Sequence, residues 1–355
     1  MKTNQLTDKE KERHDKYVRY SQETSTILER HLKEFCAIHK EFIPIQQAYT
    51  YKKLHLNGIQ FRAGFESVKS SENWEKYKYI PMAIELVMIW AYKTNKIVDR
   101  KNDAWKSEES VKKIVLEHDL ILALILELLE NSKAVLGEKF DKLNQIISRM
   151  LGDMVKGFWV ERNTICLNKK PLEIIKKNWA ENYKKRNIYF DLVYDFAPLV
   201  GYWLASGDER IFEKYESFFA NKDRFSHAGQ IINDMSDYIC VYDKYTKSYQ
   251  DQFSDLRNKV ITYPAFALIE NSAILDALKD SQVILNKEWQ KEIAGILVKK
   301  KVVKSVINLT TKSYKDHESF WKKILKKPNP ILLETYSILR INKYFKFFQE
   351  NQKIL

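Results

Sequence analysis

The sequence predicts an all-α protein, and two observations carry that expectation. Glycine and proline are scarce, with 9 and 7 residues in a chain of 355. Together they make up well under half of the ~12% that the pair averages in proteins. A chain built from many tight turns needs more of both, so an all-β sandwich, a propeller and a collagen-like chain are excluded. The second observation is periodicity, since apolar residues recur at helical spacing almost throughout. Hydrophobic residues make up 45% and aromatics 13%, enough for a large core and too many for a disordered chain. No glycine loop of the GxGxxG or GxxxxGK[ST] kind occurs.

In chain order the expected helices are 8–41, 45–55, 60–70, 79–99, 108–131, 136–165, 171–186, 187–206, 209–221, 224–242, 261–279, 286–300, 302–326 and 329–350. Several breaks carry their own punctuation. Asn57-Gly58 precedes 60–70, and Lys169-Lys170-Pro171 precedes 171–186. Ser206-Gly207-Asp208 ends 187–206, and Lys327-Pro328-Asn329-Pro330 precedes the last helix. The stretches 82–92 and 187–205 are apolar on more than one face, as helices inside a bundle are. No linker and no internal repeat is visible. The expectation is one large helical domain over 1–355, with a core of about 45–300. The N-terminal helix 8–41 and the C-terminal helices 302–350 pack on that core.

Lys and Arg number 60 against 47 Asp and Glu, a net charge of +13. The basic residues are interleaved with acids and form no nucleic-acid arm, so the charge points to an anionic small substrate, not to nucleic acid. The lysine-rich stretch 322–353 allows peripheral contact with an anionic membrane. Cys36, Cys166 and Cys240 are few, odd in number and far apart, which excludes a disulfide framework and fits a cytoplasmic location. The N-terminus is charged and has no apolar core of a signal peptide. Apolar runs such as Leu120 to Leu126 are too short to span a bilayer.

Two segments carry candidate chemistry. Between Gly229 and Tyr238, Asn233 and Asp237 stand at i and i+4 with Asp234 beside them. Three oxygen-bearing side chains within one helical turn suit a hard cation such as magnesium. The long apolar helix 79–99 ends in Asn95, Lys96 and Asp99, with Asn95 and Asp99 again at i and i+4.

Together these segments resemble the trans-polyprenyl diphosphate synthase family, the enzymes of the farnesyl and geranylgeranyl diphosphate synthase type. Gln230, Asn233, Asp234 and Asp237 follow its FQxxDDxxD motif in all but the Phe and the first Asp. The stretch from Asp255 to Pro264 is similar to its D(x)4KxTxP segment, with Lys259 one place earlier than the family Lys. Gly157 to Glu161 looks like its GQxxD helix, and Lys184-Lys185-Arg186 falls where a substrate-binding Lys-Thr begins the next helix. Glu85 and Asn95 keep its spacing from Glu to first Asp. Asn57 to Arg62 falls where the family has GKRxRP. The matches run in order from residue 57 to residue 264.

The resemblance implies the class I terpenoid (isoprenoid) synthase fold, a helical bundle around a central cavity, and pairing as a homodimer. It implies Mg2+ held by Asp99, Asn233, Asp234 and Asp237, with an allylic prenyl diphosphate of C10 to C20 as substrate. Asp99, Asp234, Asp237 and Lys185 are the implied catalytic residues. Arg62, Asn95, Lys96, Gln230, Lys259, Trp90 and Phe158 are the implied substrate contacts, the two aromatics facing a carbocation. The departures fall mostly on the acceptor side. Ile59 and Gln60 replace a Lys and an Arg, Met88 replaces a His, and no Arg-Arg-Gly follows the first motif. These losses favour ionisation of one prenyl diphosphate followed by cyclisation or deprotonation, a terpene synthase reaction. A prenyltransferase, chain-elongating or directed to an unusual acceptor, is the alternative. A non-catalytic partner subunit that keeps the fold is the second.

Overall fold

A computed structural model describes residues 8–51, 55–68, 73–98, 107–167, 171–236, 238, 242–243, 248–249, 254–277, 287–325 and 328–334. These residues are overwhelmingly helical, as the periodicity predicts, and they fall into two compact units. The first comprises residues 1–151, 193–218 and 320–335, and the second 152–192, 219–319 and 336–355.

The first unit is built on α1 (Asp8–Ile38), α2 (Ile43–Tyr51), α3 (Leu56–Glu66), α4 (Tyr79–Val98) and α5 (Glu108–Leu136). Every residue of α4 from Ile80 to Ala91 is buried, which explains an apolar pattern with no single face. Ser107 accepts from the Ser110 amide at 3.1 Å and starts α5, and Gly137 at φ 54° ends it. Asn57-Gly58 lies inside the first turn of α3 and does not precede it. A Cβ on Gly58 would come within 2.4 Å of Leu28 in α1, so this glycine serves close packing and not a turn.

The unit also takes in parts of α6 (Phe140–Thr164), α7 (Leu172–Ser206), α8 (Ile211–Phe219) and, later in the chain, α14 (Val302–Ile324) and α15 (Pro330–Glu334). Helices expected at 171–186 and 187–206 are one continuous α7. Nothing at Arg186-Asn187 stops a helix, and the chain turns only at Gly207, at φ 75°. Within this unit α3 and α7 touch backbone to backbone. A Cβ on Gly64 would lie 2.1 Å from the Pro198 carbonyl oxygen, and one on Gly201 2.0 Å from that of Phe61.

The second unit holds α9 (Phe225–Ser236), α10 (Ser254–Arg257), α11 (Tyr263–Leu268), α12 (Ser272–Ala277) and α13 (Lys287–Lys299). Its core gathers Ile175, Trp179, Tyr183, Ile231, Met235, Leu256, Ile261 and Leu268. Two expectations are corrected here. The helix expected over 224–242 ends at Ser236 among the described residues, and Tyr242–Asp243 (β1) pairs antiparallel with Ser248–Tyr249 (β2). The helix expected over 261–279 breaks in two around Asn271, whose side chain accepts from the Ile274 amide at 3.4 Å. Residues 335–355, most of the last expected helix, lie outside the described residues. No helix among the described residues is long and apolar enough to cross a membrane.

Candidate functional site

The candidates in the first unit sit on α3 and at the end of α4. Arg62 projects from α3 into a clamp of this chain's own groups. Its Nε donates to Glu66 at 2.7 Å, its Nη1 donates to Thr24 at 2.9 Å and its Nη2 pairs with Glu23 at 3.0 Å. The guanidinium also lies 4.3 Å from the Tyr20 ring centroid and 5.4 Å from that of Trp74. Two carboxylates face one cation, so the surroundings favour no further anion. The neighbouring positions are closed too. Ile59 is fully buried, and the Gln60 side chain donates to the Ile331 carbonyl at 3.5 Å. The buried Glu85 carboxylate accepts from the Asn57 amide at 2.9 Å, and Met88 is buried. Trp90 is buried with its ring 4.8 Å from His118. Asn95 and Lys96 are half-buried, and Asp99 lies outside the described residues. Tyr92, on the same helix, is 50% exposed.

In the second unit α6, α7 and α9 bring together a buried polar cluster. Asp234 is 1% exposed, Arg186 3% and Glu161 4%. The Arg186 Nη1 donates to both oxygens of Asp234 at 3.0 Å, and its Nε and Nη2 donate to Glu161 Oε2 at 2.8 and 2.6 Å. Tyr183 donates its hydroxyl to Asp234 Oδ2 at 2.5 Å, and the Gln230 amide donates to Oδ1 at 2.9 Å. Asn187 accepts from Arg186 at 2.8 Å and donates to His227 Nδ1 at 3.2 Å. His227 is therefore a neutral acceptor here. Burial pushes its pKa down to about 4. Burial likewise pushes the Asp234 carboxyl upward, while Arg186, Tyr183 and Gln230 oppose it. An aromatic wall of Trp179, Tyr183 and Phe266 stacks beside the cluster, with centroids 4.8 Å apart for Trp179–Tyr183 and 4.1 Å for Trp179–Phe266.

Asn233 is exposed and Asp237 lies outside the described residues. Lys185 is exposed, and the inward-facing cation of its run is Arg186. Phe158 packs edge-on against Phe190 at 4.6 Å, and Trp159 beside it is 70% exposed. Lys259 holds a left-handed backbone at φ 60°. Its carbonyl accepts from the Leu167 amide at 3.0 Å, next to a bridge between Cys166 and Val260. Its position thus serves the chain reversal that leads to Thr262 and the buried Pro264. The sequence signal that finds Arg186 is spacing: Tyr183 and Asn187 at i and i+4 place the face of α7 on which Arg186 lies.

No family model matches the sequence, and no curated protein does. Solved structures do match. A heptaprenyl diphosphate synthase from Staphylococcus aureus superposes with a TM-score of 0.62 at 15% identity, over 94% of this chain and 98% of that one. A polyprenyl synthase from Caulobacter crescentus, solved with calcium and isoprenyl diphosphate, gives 0.64 at 13% identity over 89% and 97%. A farnesyl diphosphate synthase from T. brucei gives 0.60 at 11% identity over 94% and 99%. The chain has the isoprenyl diphosphate synthase fold.

Magnesium on a protein of isoprenyl diphosphate synthase fold needs oxygen ligands in near-octahedral geometry. Among the described residues the two motif segments supply a single carboxylate, Asp234, and it is already held by Arg186, Tyr183 and Gln230. No group of three or more His, Cys, Asp or Glu among the described residues could hold a metal ion. Asp99 and Asp237, the other two implied carboxylate ligands, lie outside the described residues.

Proposed function

We propose that this chain is a prenyltransferase of isoprenoid biosynthesis. It moves the prenyl group of an allylic diphosphate of C10 to C20 onto an acceptor and releases pyrophosphate. One observation carries the reading: nearly the whole of this chain corresponds to nearly the whole of solved prenyl diphosphate synthases. The excess of basic residues, +13, supports an anionic substrate. The free, buried Cys36 and Cys166 are compatible with a reducing cytoplasm. Cyclisation without an acceptor, favoured by the sequence losses at Ile59, Gln60 and Met88, becomes one outcome of the assay.

A second reading is favoured by a specific observation. Arg62 and Asp234, one candidate from each unit, are both satisfied by this chain's own side chains. That suits a non-catalytic partner subunit that keeps the fold.

The test incubates the full chain with geranyl, farnesyl or geranylgeranyl diphosphate, with and without isopentenyl diphosphate and with and without magnesium. Longer diphosphates formed only with isopentenyl diphosphate are the expected result. Hydrocarbon or alcohol formed without it replaces the transferase by a terpene synthase. Turnover only with a co-expressed homologue establishes the partner subunit. The molecular mass in solution tests the homodimer.

A further inference from the structure

We propose that the Arg186 guanidinium takes the place of a divalent cation in the second unit, so that Asp234 is a closed ion-pair residue and ligates no metal. This inference concerns α6, α7 and α9 alone and does not rest on the reaction proposed above.

An ionised carboxylate offers about four lone-pair sites, two on each oxygen. On Asp234, Oδ1 receives Arg186 Nη1 at 3.0 Å and Gln230 Nε2 at 2.9 Å. Oδ2 receives Arg186 Nη1 at 3.0 Å and the Tyr183 hydroxyl at 2.5 Å. Nη1 has two hydrogens and gives one to Asn187, so a single N–H is shared between the two oxygens, and the carboxylate accepts three hydrogens in all. A metal ion at Asp234 would have either to displace the buried guanidinium or to sit against it, which brings two positive centres together out of water.

The arrangement also does what a bridging cation does. Arg186 joins carboxylates from two helices, Glu161 on α6 and Asp234 on α9, and neutralises the closer charge of each. Arg162 stands 4.0 Å from the other oxygen of Glu161 and adds a second positive charge at the rim. The Arg186 ion lies 4.8 Å from the Phe190 ring centroid, so one face of the guanidinium is covered by an aromatic ring. A planar fork of five donors is suited to this role, where a lysine would act as a point charge.

The experiment counts divalent cations bound to the full-length chain, by calorimetric titration of Mg2+ and by Mn2+ paramagnetic resonance. Wild type is compared with Asp234→Asn and with the charge-free triple variant Glu161→Gln/Arg186→Met/Asp234→Asn. Removing all three charges leaves no buried ion without its partner, so the triple variant backs up the single one. The expected stoichiometry is the same in all three, whether zero or set by other residues, with affinities within about two-fold. A wild-type site lost in either variant overturns the proposal.

A second arm uses Arg186→Gln, which leaves Glu161 and Asp234 without their cation. Its unfolding midpoint should fall by about 5 °C, and added Mn2+ should raise it by more than it raises the wild-type midpoint. An Arg186→Gln midpoint that ignores Mn2+ removes the claim that the guanidinium substitutes for a metal. Turnover is not the readout in either arm, so failure here leaves the transferase reading standing.

Discussion

The surroundings of Asp234 are set by residues far from it in the sequence. Its place in the acidic motif is legible from Gln230, Asn233 and Asp237, but whether its carboxylate is open depends on Tyr183 and Arg186 on a different helix. Those partners are tertiary, and no local pattern in 229–238 announces them. The same holds for Arg62, whose Glu23 partner lies on α1. Which of Lys184, Lys185 and Arg186 turns inward is a matter of helical phase, for which the spacing of Tyr183 and Asn187 is the one local signal. His227 yields the residue-scale prediction. Unfolded, it takes a proton near the ordinary value of 6.5, and in the fold only at about 4, because burial dominates, Lys184 and Arg186 repel the charge and Asp223 only partly offsets them. Below 6.5 the unfolded chain binds the proton first, so this contribution to stability is full above about 6.5 and is lost as the pH falls toward 4. By pH 5 the loss is about 2 kcal/mol. Urea unfolding at pH 7, 6 and 5 should show it, and His227→Gln should flatten that slope. An equal slope in the variant would rule the histidine out as its source.

At the scale of elements, the helices whose apolar pattern is long are legible to within a few residues, α4 and α14 among them. The departures have local causes. Arg186-Asn187 resembles a boundary because the polarity changes there, yet nothing in the backbone stops. The double break around Asn271 is hidden because Ile269 and Ile274 keep the apolar rhythm across it. Two glycines in helices give a paired prediction. Gly201→Ala drives a Cβ into the Phe61 carbonyl and should destabilise by about 3 kcal/mol. Gly152→Ala meets nothing within 4 Å and should stabilise by about 0.5–1 kcal/mol through helix propensity. Denaturant midpoints of the two variants decide it: if both move the same way, the close approach of α3 and α7 is not tight.

For the whole molecule, the all-α class and the order of motifs are open to view because scarcity of Gly and Pro and helical spacing are properties of the entire chain. The charge of +13 is equally global. If it draws in an anionic substrate, capture of a fluorescent farnesyl diphosphate analogue should slow about ten-fold between 50 and 500 mM salt. A rate that ignores salt would remove net charge from the account of substrate capture.

Neither compact unit is a continuous stretch of chain, since the first needs residues 193–218 and 320–335 as well as 1–151. This bears on how the protein is made. As the chain leaves the ribosome, α3 emerges long before Pro198 and Gly201, the residues that cover its glycine face. At ~5–20 residues per second that gap lasts on the order of ten seconds. Through that interval α1 and α4 can already pack on α3, and Phe65 can meet Tyr77, but the Phe61–Gly64 side that Pro198 and Gly201 cover stays open. A chain cut short before residue 193 leaves that side of α3 uncovered and should be less soluble than the full chain, as the soluble fraction on expression would show.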